Sequence, residues 1–102
     1  MYKNLDTNKI EFLLGYVDLG SYTIKQIPLN FLPHGIALDP NNYKRLFVFE
    51  KVGPGACVVN LEDFDLEQYI PPSKDCYFYG HGMPNKDGSL TFQIDQLIQI
   101  CY

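Results

Sequence analysis

With 102 residues the chain has the size of one ordinary domain, and 46% hydrophobic with 15% aromatic residues is enough to bury a core, which excludes a disordered chain. Eight Lys and Arg against twelve Asp and Glu leave a net charge of −4, so no basic footprint exists for a nucleic-acid backbone or an anionic membrane surface. No basic segment leads into an apolar run near the N-terminus, and no stretch approaches the roughly 18 apolar residues of a spanning helix; the expectation is a chain without export signal or membrane anchor.

In chain order, short runs rich in Val, Ile, Phe, Tyr and Thr keep ending at Gly, Pro, Asn or Asp, which is β punctuation. Ile10 to Leu19 reads as one or two strands with Gly15 as the break, and Gly20-Ser21 turns the chain back as Tyr22 to Leu29. Ile36 to Leu38 is a short strand after His34-Gly35, Asp39-Pro40-Asn41-Asn42 a turn, and Leu46 to Glu50 the next strand. Lys51-Val52-Gly53-Pro54-Gly55 connects to Ala56 to Leu61, Glu62-Asp63 turns again, and Asp65 to Ile70 is a fourth strand. After Pro71-Pro72, which cannot donate to a central ladder, the chain re-enters a sheet at Tyr77-Phe78-Tyr79, turns at Asn85-Lys86-Asp87-Gly88 and runs through Ser89 to Ile94. The final segment, Gln93 to Tyr102, overlaps that run and has apolar residues at 94, 97, 98 and 101, a helix spacing that predicts a short C-terminal helix.

Two of these stretches repeat one another. Val17-Asp18-Leu19 with Tyr22 to Gln26 returns 42 positions later as Val59-Asn60-Leu61 with Phe64 to Gln68, and each copy runs into a His-Gly pair, His34-Gly35 and His81-Gly82. A period of 40 to 50 residues built from short strands is that of a propeller blade. The expected fold is therefore all-β: antiparallel four-stranded β-propeller blades, about two blades' worth in one partial domain. Residues 1–30 would end one blade, 31–72 form a complete blade, 73–95 start the next, and 96–102 are a divergent tail. Such an arc cannot close alone. It would belong to a longer protein, assemble with copies of itself, or collapse into a small β-sandwich.

Candidate functional residues are few. His34 and His81 fall at equivalent positions, where they could bind a metal or an anion, or hydrogen-bond backbone at a strand entry. Glu50 and Lys51 beside a Gly-Pro-Gly turn could face a ligand or form an exposed ion pair. Asp39, Asn41 and Asn42 carry oxygen ligands but lack the full set of a calcium loop, so turn chemistry accounts for them. Tyr77, Phe78 and Tyr79 suit packing between blades or stacking on a ligand. Cys57, Cys76 and Cys101 have no metal-type spacing; they read as buried thiols, with a Cys57–Cys76 bridge as the other option. Neither a nucleophile elbow nor a glycine-rich phosphate loop is present, so no catalytic residue, metal or cofactor is predicted.

The phrases Phe31-Leu32-Pro33-His34-Gly35-Ile36-Ala37-Leu38-Asp39-Pro40 and Tyr77-Phe78-Tyr79-Gly80-His81-Gly82 resemble an uncharacterised family of bacterial seven-bladed propellers exported by the twin-arginine route, over roughly residues 16–92. The family's Ser-Pro-Asp-Gly turn is replaced by Asn85-Lys86-Asp87-Gly88. The resemblance implies a periplasmic setting for the relatives and no established reaction. The expected function is a non-enzymatic binding or scaffold module for a protein or small ligand, completed by further blades or by self-association. The alternative is the remnant of a metal-assisted hydrolase or oxidoreductase.

Overall fold

The computed structural model describes residues 2–6, 8–71 and 78–94. Among the described residues nine strands run in chain order: β1 (Tyr2–Asn4), β2 (Lys9–Val17), β3 (Ile24–Leu29), β4 (Pro33–Asp39), β5 (Asn42–Glu50), β6 (Ala56–Asn60), β7 (Asp65–Tyr69), β8 (Phe78–Pro84) and β9 (Leu90–Ile94). All pairings in the strand ladders are antiparallel, in three sheets of order β1-β2-β3, β4-β5-β6-β7 and β8-β9. The all-β expectation holds, and no described residue is helical. Gln93 and Ile94, assigned to the start of the predicted C-terminal helix, continue β9, while 95–102 lie outside the described residues.

Strand boundaries differ from expectation at several points: β1 falls where no strand is expected, β3 begins at Ile24 and not at Tyr22, and β5 begins at Asn42 and not at Leu46. β2 passes unbroken through Gly15, which pairs with Gln26, because a residue without Cβ costs a strand some stability but does not end its ladder. β4 begins at Pro33, so His34-Gly35 lies inside the strand, and a register shift between Pro33 and Gly35 absorbs the irregular entry.

Short polar side chains fix the turns. The Asp18 carboxylate accepts from the N–H groups of Gly20 (2.8 Å) and Ser21 (3.0 Å), and Asn60, 42 positions on, accepts from Glu62 N–H (2.8 Å). Tyr22 (φ 58°) and Phe64 (φ 48°), again 42 apart, both adopt the left-handed conformation that bulky residues avoid. Asp39 accepts from Asn41 N–H at 2.9 Å in the β4–β5 turn, and Asp87 from Ser89 N–H at 2.9 Å between β8 and β9.

The four-stranded sheet is covered on both faces over β5 and β6, whereas on β4 Ile36 and Leu38, which pair with Val48 and Leu46, stay 62% and 49% exposed. On one, Leu46, Val48, Cys57 and Val59 pack with Ile27, Leu29, Phe31 and Phe64, with Leu14, Leu61, Leu66 and Tyr69 at the margin. On the other, Phe49 and Ala56 pack with Phe78, flanked by Phe47, Ile70 and Leu90. Period-2 alternation along β5 and β6 assigns neighbouring residues to opposite faces, and burial on both sides makes β6 read as the unbroken apolar run Ala56-Cys57-Val58-Val59. Each fully buried side chain of this size contributes about 1.5–3 kcal/mol. The β1–β3 sheet thus lies on one side of the central sheet and β8–β9 on the other.

Candidate functional site

The candidate residues gather where β4 and β8 meet. Glycines permit that approach: a Cβ at Gly35 would fall on the carbonyl oxygen of Gly80, and one at Gly80 (φ 93°) would stand 2.9 Å from His34 Cδ2. The seam is continued by a two-way backbone bridge, with Gly53 N–H donating to Phe78 O (3.2 Å) and Phe78 N–H donating to Gly53 O (2.7 Å).

Across the seam the rings of His34 and His81 lie edge to face, with centroids 5.4 Å apart and planes at 67°. Both side chains are exposed. Their proximity does not come from equivalent positions. Gly35 sits opposite Phe49 and faces β8, whereas Gly82 sits opposite β9's Phe92 and looks back at the Phe49 ring. The two His-Gly phrases therefore present opposite faces. A longer irregular stretch in β8, between Phe78 and Gly82, shifts the second phrase and turns the two histidines toward each other.

Lys51 joins the pair through its backbone, its Cα lying 3.6 Å from where a Cβ of Gly80 would be, and its side chain is exposed. Glu50 is engaged within its own hairpin. Its carboxylate accepts from Gly55 N–H (2.8 Å) and fills the space beside Gly53, so it braces the β5–β6 hairpin instead of pairing with Lys51. Asp39 is engaged by Asn41 N–H and by Arg45 (3.5 Å), and Asn41 donates to Lys86 O (2.9 Å), which leaves turn and inter-sheet roles for the Asp39-Pro40-Asn41-Asn42 run. Phe78 is buried with its ring 5.7 Å from that of Phe49, a packing role for this one residue of the aromatic run. Cys57 is a free, fully buried thiol, and burial pushes its pKa up to about 11. Cys76, Cys101 and Tyr77 lie outside the described residues.

The same end of the central sheet carries a groove of about 320 Å³ lined by Asn30, Phe31, Glu50, the Pro54-Gly55 turn and Tyr69. Its wall is fixed by Asn30 N–H donating to the Tyr69 hydroxyl at 3.0 Å. Asn30 and Tyr69 were not singled out by the sequence. They are 39 positions apart, and no local pattern marks a contact of that separation.

Among the described residues no three His, Cys, Asp or Glu side chains converge on a common point, and no helix is long and apolar enough to cross a membrane. Comparison with known proteins finds no matching family model, no similar curated protein and no similar solved structure.

Proposed function

We infer that the chain is an arc of a β-propeller acting as a non-enzymatic binding module, with its ligand-facing end at the β4–β8 seam. The observation that carries this reading is the central sheet itself: four antiparallel strands, buried on both faces at β5 and β6, with a further sheet against each face as blades stack. The paired Asp18 and Asn60 turns, and the left-handed Tyr22 and Phe64, support β2–β3 and β6–β7 as successive copies of one unit. The resemblance to exported propellers agrees with this architecture.

At the seam, two exposed imidazoles and the Lys51 ammonium group face solvent in a chain of net charge −4, a combination suited to an anionic small ligand or an acidic side chain of a protein. The test is amide chemical-shift mapping with inorganic phosphate as the probe. Saturable shifts confined to residues 34–35, 51 and 80–81, lost in Lys51→Gln, are expected. An absence of shifts there contradicts the reading.

The closeness of His34 and His81 favours a second reading, the remnant of a metal-assisted hydrolase or oxidoreductase. Calorimetric titration with Zn²⁺ separates the two. One-to-one binding abolished in the His34→Ala, His81→Ala double variant would replace the module reading, and the absence of such binding retains it.

A further inference from the structure

Three connections of the chain meet at the groove beside Tyr69: the β3–β4 link at Asn30 and Phe31, the β5–β6 hairpin at Pro54, and the end of β7. Each is tied down. Glu50 N–H donates to Gly55 O at 2.8 Å and the Glu50 carboxylate accepts from Gly55 N–H at 2.8 Å, so the hairpin is closed twice. Ile70 N–H donates to Ala56 O at 2.9 Å, and Tyr69, its ring edge-on to Phe31 at 6.3 Å, takes the Asn30 N–H on its hydroxyl. A preformed groove of about 320 Å³, with mostly apolar walls and a few polar groups, has the form of a small-ligand site.

Charge selects the occupant. Among the described residues lining the groove Glu50 alone is charged, and it is half-buried without an ion pair, the described pairs being Lys44 with Glu62 and Arg45 with Asp39 and Glu67. Bracing the hairpin needs one acceptor, which the neutral amide of a glutamine would supply as well, whereas a carboxylate carries two oxygens with about four acceptor positions and a full negative charge. The Gly55 amide accounts for one of those positions. The Tyr69 hydroxyl, which takes Asn30 N–H on one lone pair, keeps a second for a ligand. An anion would be repelled by Glu50, and a neutral apolar body would desolvate it without compensation; a cation on an apolar stem suits both the carboxylate and the walls.

We propose that this groove binds a primary alkylammonium group, with Glu50 as its countercharge, the Tyr69 hydroxyl as a further acceptor and the alkyl stem against Pro54 and Ile70. An ammonium group brings three N–H donors to these oxygens. A lysine side chain and a free aliphatic amine share this chemistry. The groove uses other residues than the β4–β8 seam and takes the opposite charge, so it stands or falls independently of the anion reading there.

Amide chemical-shift titration of the full chain with n-butylammonium chloride tests the proposal, with n-butanol as the neutral analogue and sodium chloride as the ionic control. Saturable shifts at Asn30, Phe31, Gly55 and Tyr69 are expected, with a dissociation constant on the order of 1 mM for a ligand of about five non-hydrogen atoms. Glu50→Gln, which keeps an acceptor for Gly55 N–H, should weaken binding at least about tenfold, while Glu62→Gln, at a side chain 67% exposed, should bind as the unaltered chain does. Nα-acetyl-lysine methylamide separates the two sources: tighter binding than butylammonium assigns the groove to a lysine of a peptide, weaker binding to a free amine. The proposal is overturned by the absence of saturable shifts with either amine, by binding that Glu50→Gln leaves unchanged, or by equal shifts with sodium chloride. Equal binding of n-butanol overturns it too, and that comparison needs no variant, so it decides the matter even where Glu50→Gln fails to fold.

Discussion

A methyl group added at Gly35 would collide with the Gly80 carbonyl oxygen, whereas one added at Gly15 meets nothing within 4 Å. Backbone is the hardest obstacle to move, so Gly35→Ala is expected to lower stability by about 2 kcal/mol or more, read as a lower urea midpoint. Gly15→Ala, in an open strand position without positive φ, is expected to be neutral or to gain up to about 1 kcal/mol, because it restricts the unfolded chain. Cys57 gives a pH signature. Its thiol ionises near 9.0 when solvated but only at about 11 in the fold, so the unfolded chain releases the proton first. Stability from this residue is complete below pH 9 and falls as the pH rises toward 11, by up to about 1.4 kcal/mol per unit. Cys57→Ser should flatten that part of the curve in denaturant titrations. The sequence identified Cys57 as a buried thiol because it lies in an apolar strand run. It did not reveal that Glu50 turns to the Gly55 amide, because that choice depends on how the hairpin folds over its own carboxylate.

At the level of elements, the hairpins are held by aspartate and asparagine side chains that cap their turns. The Asp18 carboxyl lies below the ordinary carboxylate range through the N–H groups of Ser21 and then Gly20, and that of Asp87 through its bonds to Ser89. Both are lowered, so their contribution is present above the unfolded value of 3.8 and is lost as the pH falls through the lower folded value. Asp18→Asn is expected to reduce the acid sensitivity of unfolding, followed by circular dichroism between neutral and acid pH. The related turns also predict a contrast at their left-handed residues. Phe64→Ala removes a buried ring and should cost about 3–5 kcal/mol, while Tyr22→Ala at the equivalent exposed position should change monomer stability by under about 1 kcal/mol in urea melts. The turns were legible because Asp, Asn, Gly and Pro carry their own dihedral preferences. The break expected at Gly15 did not occur, since the ladder with β3 outweighs the weak preference of one glycine. The facing of the two His-Gly phrases was hidden for a related reason: the irregular register of β8 is set by its pairing with β9 and by contact with β4, not by the phrase.

For the whole molecule, the account rests on one sheet enclosed by two others. The alternating and unbroken apolar runs made the all-β class and the four strands of the central sheet readable, because burial on one or both faces writes itself into period-2 patterns. The groove beside Tyr69 and the meeting of His34 with His81 were not readable, since both arise where separate sheets come together. Stacking on both faces predicts a hierarchy of stability, with β5 and β6 opening only when both neighbouring sheets have parted. Native-state hydrogen exchange measures this directly. Amides of Val48, Phe49, Cys57 and Val59 are expected to be the slowest in the chain and to exchange with the free energy of global unfolding, while β2 and β3 exchange faster through partial opening. Exchange of β5 and β6 as fast as that of β2 and β3, or without regard to the global unfolding free energy, would contradict a central sheet closed on both sides.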